Sequence, residues 1–133
     1  MSEVPEFLLV DDNADNRFLL AKTLLRRFPN ALIQECQDSQ PALVAARRAS
    51  LTEAVVHRAA DVDGFPMIEM LRRTRPTLPI LFVSGADART KAVEAGASAF
   101  LNYDAWLNVG VAVEDMLRAT DSMPPFAAEA QSA

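Results

Sequence analysis

Nothing in this chain can form an internal disulfide, because its 133 residues include a single cysteine, Cys36. That residue ends the alternating stretch Leu32-Ile33-Gln34-Glu35-Cys36 and reads as a packed thiol, with no zinc or redox motif around it. No apolar run approaches the ~20 residues needed to span a bilayer, so no membrane segment is expected. The first residues, Met1-Ser2-Glu3, are acidic and unlike a secretory signal, which makes the cytoplasm the expected compartment. Positive charge is not in excess either. Thirteen Lys and Arg stand against 18 Asp and Glu, a net charge of −5, which argues against a nucleic-acid binder. Arg26-Arg27, Arg47-Arg48 and Arg72-Arg73-Arg75 each fall near the end of a helical stretch, where they meet the helix dipole favourably and read as solvated ends. No internal repeat is visible. The length is that of one ordinary domain, able to bury about two-thirds of its unfolded surface without a staple.

What the chain does have is a buried-looking run, Phe7-Leu8-Leu9-Val10, leading straight into Asp11-Asp12, with a helical pattern immediately after. Two adjacent acids are thereby placed at the carboxyl end of a strand, where ligand sites collect in open parallel sheets. Strand and helix alternate five times. The predicted strands cover residues 6–11, 31–36, 53–57, 80–83 and 98–102. A first helix over 14–28 carries the stripe Leu20, Leu24, Phe28 with Asn13 as its cap. A second opens at Asp38-Ser39 with Pro41 in its first turn. A third covers 65–74 with Phe65, Ile68 and Leu71 inward. A short fourth over 87–95 is capped by Gly96, and a fifth over 105–119 is capped by Asp104. Residues 1–120 read as one domain and 121–133 as a disordered tail.

Short apolar strands alternating with helices require a parallel sheet covered on both faces. Right-handed crossovers leave few topologies, among them the doubly wound, flavodoxin-like order 2-1-3-4-5 of a (βα)5 α/β fold. In that order Asp11-Asp12, His57-Arg58, Ser84 and the residues after Leu101 all face one crevice.

Over about residues 5–119 the pattern resembles the receiver domain of two-component response regulators. The pieces that carry the likeness are Leu9-Val10-Asp11-Asp12 with Arg17 and Leu20, Asp63-Gly64, Leu78-Pro79-Ile80 leading to Ser84-Gly85, and Ala95-Gly96-Ala97-Ser98-Ala99-Phe100-Leu101. The resemblance implies phosphoryl transfer from a histidine kinase to an aspartate that ends strand three. Two acids would hold Mg²⁺ there, and a hydroxyl and a lysine would bind the remaining oxygens. Asp11 and Asp12 match the metal-holding acids, and Ser84 matches the hydroxyl. The other two positions depart from the pattern. One alignment puts His57 in the acceptor seat, and sliding by one so that Glu53 matches the family's strand-opening acid puts Arg58 there. Tyr103 stands where the family has lysine, and Asp104 where it has proline, so a trans Tyr103-Asp104 bond and a re-routed loop are expected. The span from Ser84 to Gly96 is about three residues short, which stunts helix four.

A basic side chain in that seat leaves two carboxylates to hold metal instead of three. The expectation is therefore that the cation replaces Mg²⁺ and holds the switch in one state, with no cofactor and no enzymatic activity; Mg²⁺ on Asp11 and Asp12 is the one cofactor the pattern leaves open. The leading reading is a receiver-like module, a pseudo-receiver, that signals through protein contacts. The alternative is a phosphorelay receiver using a displaced acceptor, Asp61 or His57, with Mg²⁺ on Asp11 and Asp12. A small metal-binding hydrolase is the third. Phe100 occupies the place of the receivers' aromatic switch residue. Trp106, Val109, Gly110, Val113, Met116 and Leu117 form one core stripe, while Leu107 and Val111 widen it beyond one packed face. In receivers the face made by helix four, strand five and helix five is the usual docking surface. Trp106, Leu107 and Val111 mark it here as the expected site for a protein partner or a second copy.

Overall fold

The computed structural model describes residues 4–58, 64–85 and 87–122; Asp61, Asp63 and the predicted tail from 123 onward lie outside them. Among the described residues the elements follow in the order β1 (Glu6–Asp11), α1 (Ala14–Arg27), β2 (Leu32–Cys36), α2 (Ser39–Ala46), β3 (Glu53–His57), α3 (Phe65–Thr74), β4 (Ile80–Ser84), α4 (Arg89–Ala95), β5 (Ala99–Asn102), a 3-10 segment (Tyr103–Asn108) and α5 (Val109–Ser122). The five strands pair in the order β2-β1-β3-β4-β5, and every pairing is parallel. The expected flavodoxin-like fold is the one observed.

All six residues of β1 are buried, as are Ile80 to Ser84 of β4. Because successive side chains leave a strand on opposite faces, β1 feeds two cores. Leu8 and Val10 join Ala42, Ala45, Ala46, Ile68, Leu71 and Ala92 beneath α2, α3 and α4. Phe7 and Leu9 join Leu20, Leu24, Val109, Val113 and Met116 beneath α1 and α5. Asn13 caps α1 as predicted, its side chain accepting from the Asn16 amide at 2.9 Å. The stunted fourth helix is also seen, with seven residues ended by Gly96 at φ +123°.

Two expectations need correcting. Helix five does not start at 105 under an Asp104 cap. Asn102 accepts from the Asp104 amide at 2.9 Å, a 3-10 segment broken at Ala105 follows, and the α-helix runs from Val109 to Ser122. The helix thus takes in residues 121 and 122, which the sequence reading assigned to the tail.

Arg26, Arg27, Arg72 and Arg73 do lie in the last turns of their helices, but Arg48, Arg72 and Arg75 are not simply solvated ends. Arg48 pairs with the buried Glu6 at 2.8 Å, and Ser50 donates to the same carboxylate at 2.8 Å. Arg75 donates to the carbonyls of Ala46 (3.1 Å), Arg48 (2.7 Å) and Leu51 (3.3 Å). Arg72 donates twice to Gly96 O, at 3.0 and 2.7 Å, and also to the carbonyls of Arg75 and Pro76. These guanidiniums satisfy carbonyls left over at chain turns, which dipole reasoning from sequence spacing does not reveal. Burial lowers the Arg72 pKa, yet the fork of donors keeps its partners in place. Arg72→Ala should lower the unfolding free energy by about 2 kcal/mol, read by urea denaturation, because several carbonyls lose a charged donor at once. A loss within error would mean that water replaces the guanidinium at no cost.

Candidate functional site

β1 and β3 lie side by side with Asp11 opposite His57 in register. This adjacency turns two residues 46 positions apart into a pair. Asp11 is fully buried, and His57 Nδ1 donates to its Oδ2 at 2.7 Å. A carboxylate can only accept, so this contact sets the histidine tautomer. The other oxygen, Oδ1, accepts from the Asn13 amide at 2.9 Å. Asp11 is thus engaged on both oxygens, and Arg17 Nη1 donates to its carbonyl at 2.8 Å.

His57 and Arg58 contact different acids. His57 turns toward Asp11, and Arg58 turns the other way. Arg58 Nη1 donates to Gln37 O at 3.1 Å and lies 3.7 Å from Asp12 Oδ2. The Asp12 side chain is 70% exposed, so the two acids do not converge. Among the described residues no group of three His, Cys, Asp or Glu is arranged to hold a metal ion. With Asp11 engaged and Asp12 turned outward, these residues do not fit the cradle that Mg²⁺ requires.

Tyr103 completes the pocket. Its ring stacks on His57 with centroids 4.3 Å apart and planes 12° from parallel, and its hydroxyl donates to Asn16 Oδ1 at 2.7 Å. Burial, and then the charge of Asp11, raises the Tyr103 hydroxyl above its ordinary pKa. The described residues contain no cis peptide bond, so Tyr103-Asp104 is trans as expected. Asp11, His57, Tyr103, Asn16 and Asn13 form a closed ring of contacts, since Asn16 N donates to Asn13 and Asn13 N donates to Asp11. The sequence reading placed Tyr103 in the pocket but missed Asn13 and Asn16 as its supports. The only available signal was that Asn13 follows the acid pair.

Ser84 is buried at the end of β4, paired in register with Asn102. Phe100 is 8% exposed and points inward, 6.3 Å from the Phe82 ring, with the Arg89 guanidinium 5.4 Å above it. Trp106 packs against the α1/α5 core. Leu107 and Val111 are exposed, but they are not on the face that the sequence suggested. Together with Gly110 they line a cleft with Thr23, Arg26 and Arg27 of α1.

No helix of the described residues is long and apolar enough to cross a membrane. No protein-family model matches the chain, and no curated protein sequence matches it. Solved structures do. The chain is similar to a response regulator protein from Burkholderia pseudomallei, whose crystal structure has a phosphorylated aspartic acid, calcium ion and citrate. The two are 26% identical, with a TM-score of 0.67 over 96% of this chain and 71% of that one. It is also similar to a LuxR-family two-component response regulator from Aurantimonas sp. SI85-9A1, at 22% identity and TM-score 0.74 over 96% and 94% of the two chains. A response regulator receiver protein from Sinorhizobium medicae WSM419 aligns at 22% identity and TM-score 0.72, over 89% and 98%. The latter two likenesses concern the fold alone. Five parallel strands in this order, with the acid pair closing β1, give this chain the fold of the response-regulator receiver domains.

Proposed function

We propose that this chain is a receiver-like signal-transduction module that acts by protein contact, without phosphorylation on aspartate and without enzymatic activity. The observation that carries the reading is the 2.7 Å contact between His57 Nδ1 and Asp11 Oδ2. In the receiver scheme, divalent metal neutralises charge on the incoming phosphoryl oxygens, and a carboxylate attacks phosphorus. In this reading the imidazole of His57 stands in for that carboxylate, and its contact with Oδ2 leaves Asp11 less free to take up a metal. Tyr103, where receivers have lysine, brings no ammonium to a phosphoryl group; its hydroxyl is already committed to Asn16. The inward Phe100 and the stacked His57–Tyr103 pair tie β3, β5 and α1 into one fixed arrangement. Signalling then depends on whether a partner binds that arrangement.

Incubation with acetyl phosphate and Mg²⁺, followed by intact mass, tests the reading. No adduct is expected. A stable gain of ~80 Da, the mass of one phosphoryl group, would favour a displaced acceptor such as Asp61 or His57. In parallel, millimolar Mg²⁺ should leave the amide signals of Asp11, Asp12 and Ser84 unmoved, and saturable shifts there would count against the proposal.

A further inference from the structure

β2 is an edge strand of the sheet, and among the described residues it pairs with β1 alone. Leu32 N donates to Pro5 O at 2.9 Å, so Leu32 turns its backbone toward β1. Backbone groups alternate sides along a strand. Gln34 and Cys36 therefore turn the same way as Leu32, while Ile33 and Glu35 turn their N–H and C=O groups outward. Among the described residues no other segment meets those groups. Lysine, proline or an uncompensated charge commonly guards such an edge. β2 reads Leu-Ile-Gln-Glu-Cys, and its one charge, Glu35, is already paired with Arg17 at 3.1 Å. The opposite edge is less open. β5 has four residues, turns at once into the 3-10 segment, and packs Ala99 and Leu101 against the α1/α5 core.

Apolar side chains flank this edge on both faces of the sheet. Leu32 stands beside Glu6 in register, on the α2 side, and is 56% exposed. On the other side, Asn16, Thr23 and Arg27 of α1 turn toward α5, where they meet Tyr103, Gly110 and Glu114. At ~3.6 residues per turn, Phe18 and Leu25 lie about half a turn round α1 from that line. That is the flank beyond Arg17, which reaches down to Glu35 of β2. Phe18 is 59% exposed and Leu25 38%. The occupant that outward backbone groups call for is another extended strand, and β2 of a second copy supplies one with matching spacing. A half-turn about an axis through Gln34, perpendicular to the sheet, lays the second β2 antiparallel to the first. Ile33 of each copy then faces Glu35 of the other, each pair exchanging both of its N–H···O bonds. The apolar flanks of the two α1 helices come to lie on the same face of the joined sheet. An isologous contact must be complementary to itself, and this edge meets that condition.

We infer that β2 is an interface between two copies of this chain, joining their sheets edge to edge through Ile33 and Glu35 and flanked on one face by Phe18 and Leu25. It rests on the protein-contact part of the reading above and deepens it by naming the partner. A strand of five residues and one helix flank make a small interface, so association in the upper micromolar range is expected.

Sedimentation velocity and amide hydrogen exchange on the full chain, from micromolar to near-millimolar concentration and without phosphoryl donor, test it together. A dimer fraction that rises with concentration is expected. With it the Ile33 and Glu35 amides, unpaired in the monomer, should exchange about tenfold more slowly or less. Glu35→Pro removes an outward N–H and leaves the ladder to β1 untouched. Leu32→Lys puts a charge at an exposed edge position without altering the backbone. Each should weaken the dimer about tenfold or more. A chain that stays monomeric overturns the inference. So does a dimer whose Ile33 and Glu35 amides exchange as fast as in the monomer, since another surface then joins the copies, or a dimer that survives both substitutions. An adduct with acetyl phosphate would overturn the reading without phosphorylation and leave this contact standing, so the two failures are distinguishable.

Discussion

Between pH 4.5 and pH 8 this protein should lose about 3 kcal/mol of stability, and Glu53→Gln should make that part of the curve flat. Glu53 is 1% exposed, and among the described residues its Oε1 has no hydrogen-bond partner. Strand alternation puts it on the same side as Val55, above the apolar core under α1 and α5. Burial pushes its carboxyl from 4.5 up to about 8, with only the Thr52 side chain opposing. The folded chain therefore binds this proton more tightly than the unfolded chain. The resulting stabilisation is complete below the unfolded value of 4.5 and is lost as pH rises toward 8. At about 1.4 kcal/mol per unit, the full shift corresponds to at most ~5 kcal/mol. Glu6 acts in the opposite direction and in a separate window. Hydrogen bonds from Arg48 and Ser50 hold its carboxyl below the ordinary range, so its contribution is present above 4.5 and fades only in more acidic solution. Urea unfolding at several pH values on both chains measures the effect. A wild-type curve already flat from 4.5 to 8 would mean that the Glu53 carboxyl has found water or a partner.

Removing the imidazole should be nearly as damaging. His57→Ala is expected to cost about 3 kcal/mol at neutral pH, because it strips a fully buried carboxylate of its side-chain donor and leaves it with the Asn13 amide. The same change removes the ring on which Tyr103 stacks, so the near-ultraviolet signal of Tyr103 should change along with the midpoint. Tyr103→Phe separates the two contributions. It keeps the stack and loses only the hydrogen bond to Asn16, for a cost of about 1 kcal/mol. A loss below ~0.5 kcal/mol for His57→Ala would show that Asp11 is adequately served by the Asn13 amide and by water, and that the pair holds nothing in place.

Particular residues show how far the chain could be read without coordinates. Helix three was legible to the residue, since Pro66 marks its first turn and Phe65, Ile68 and Leu71 repeat at helical spacing. The start of helix five was not. Asp104 has the composition of a cap, but Asn102 stands two residues earlier and accepts from the Asp104 amide itself, so the cap falls on Asn102 and a 3-10 segment follows. Leu107 and Val111 were legible as surplus apolar residues, while the face they belong to was not. The arginines are the plainest case. A dipole argument uses only position along a helix, whereas Arg72 and Arg75 answer to carbonyls contributed by segments 20 or more residues away. Glu53 was visible only as an alignment marker, because nothing in its neighbourhood in the chain tells that β1 and β4 close over it.

The sequence by itself determined the five-fold alternation of strand and helix, the parallel sheet it requires and the basic residues at the end of strand three, because hydrophobic period and the choice of residue at a strand end are local properties. Only the tertiary structure decided that His57 and not Arg58 meets Asp11, that Tyr103 stacks on His57, and that the exposed apolar pair opens toward α1. Those outcomes depend on strand register and on helices meeting across 87 residues of chain. Such distances are set by packing the whole domain, and no window of sequence contains them.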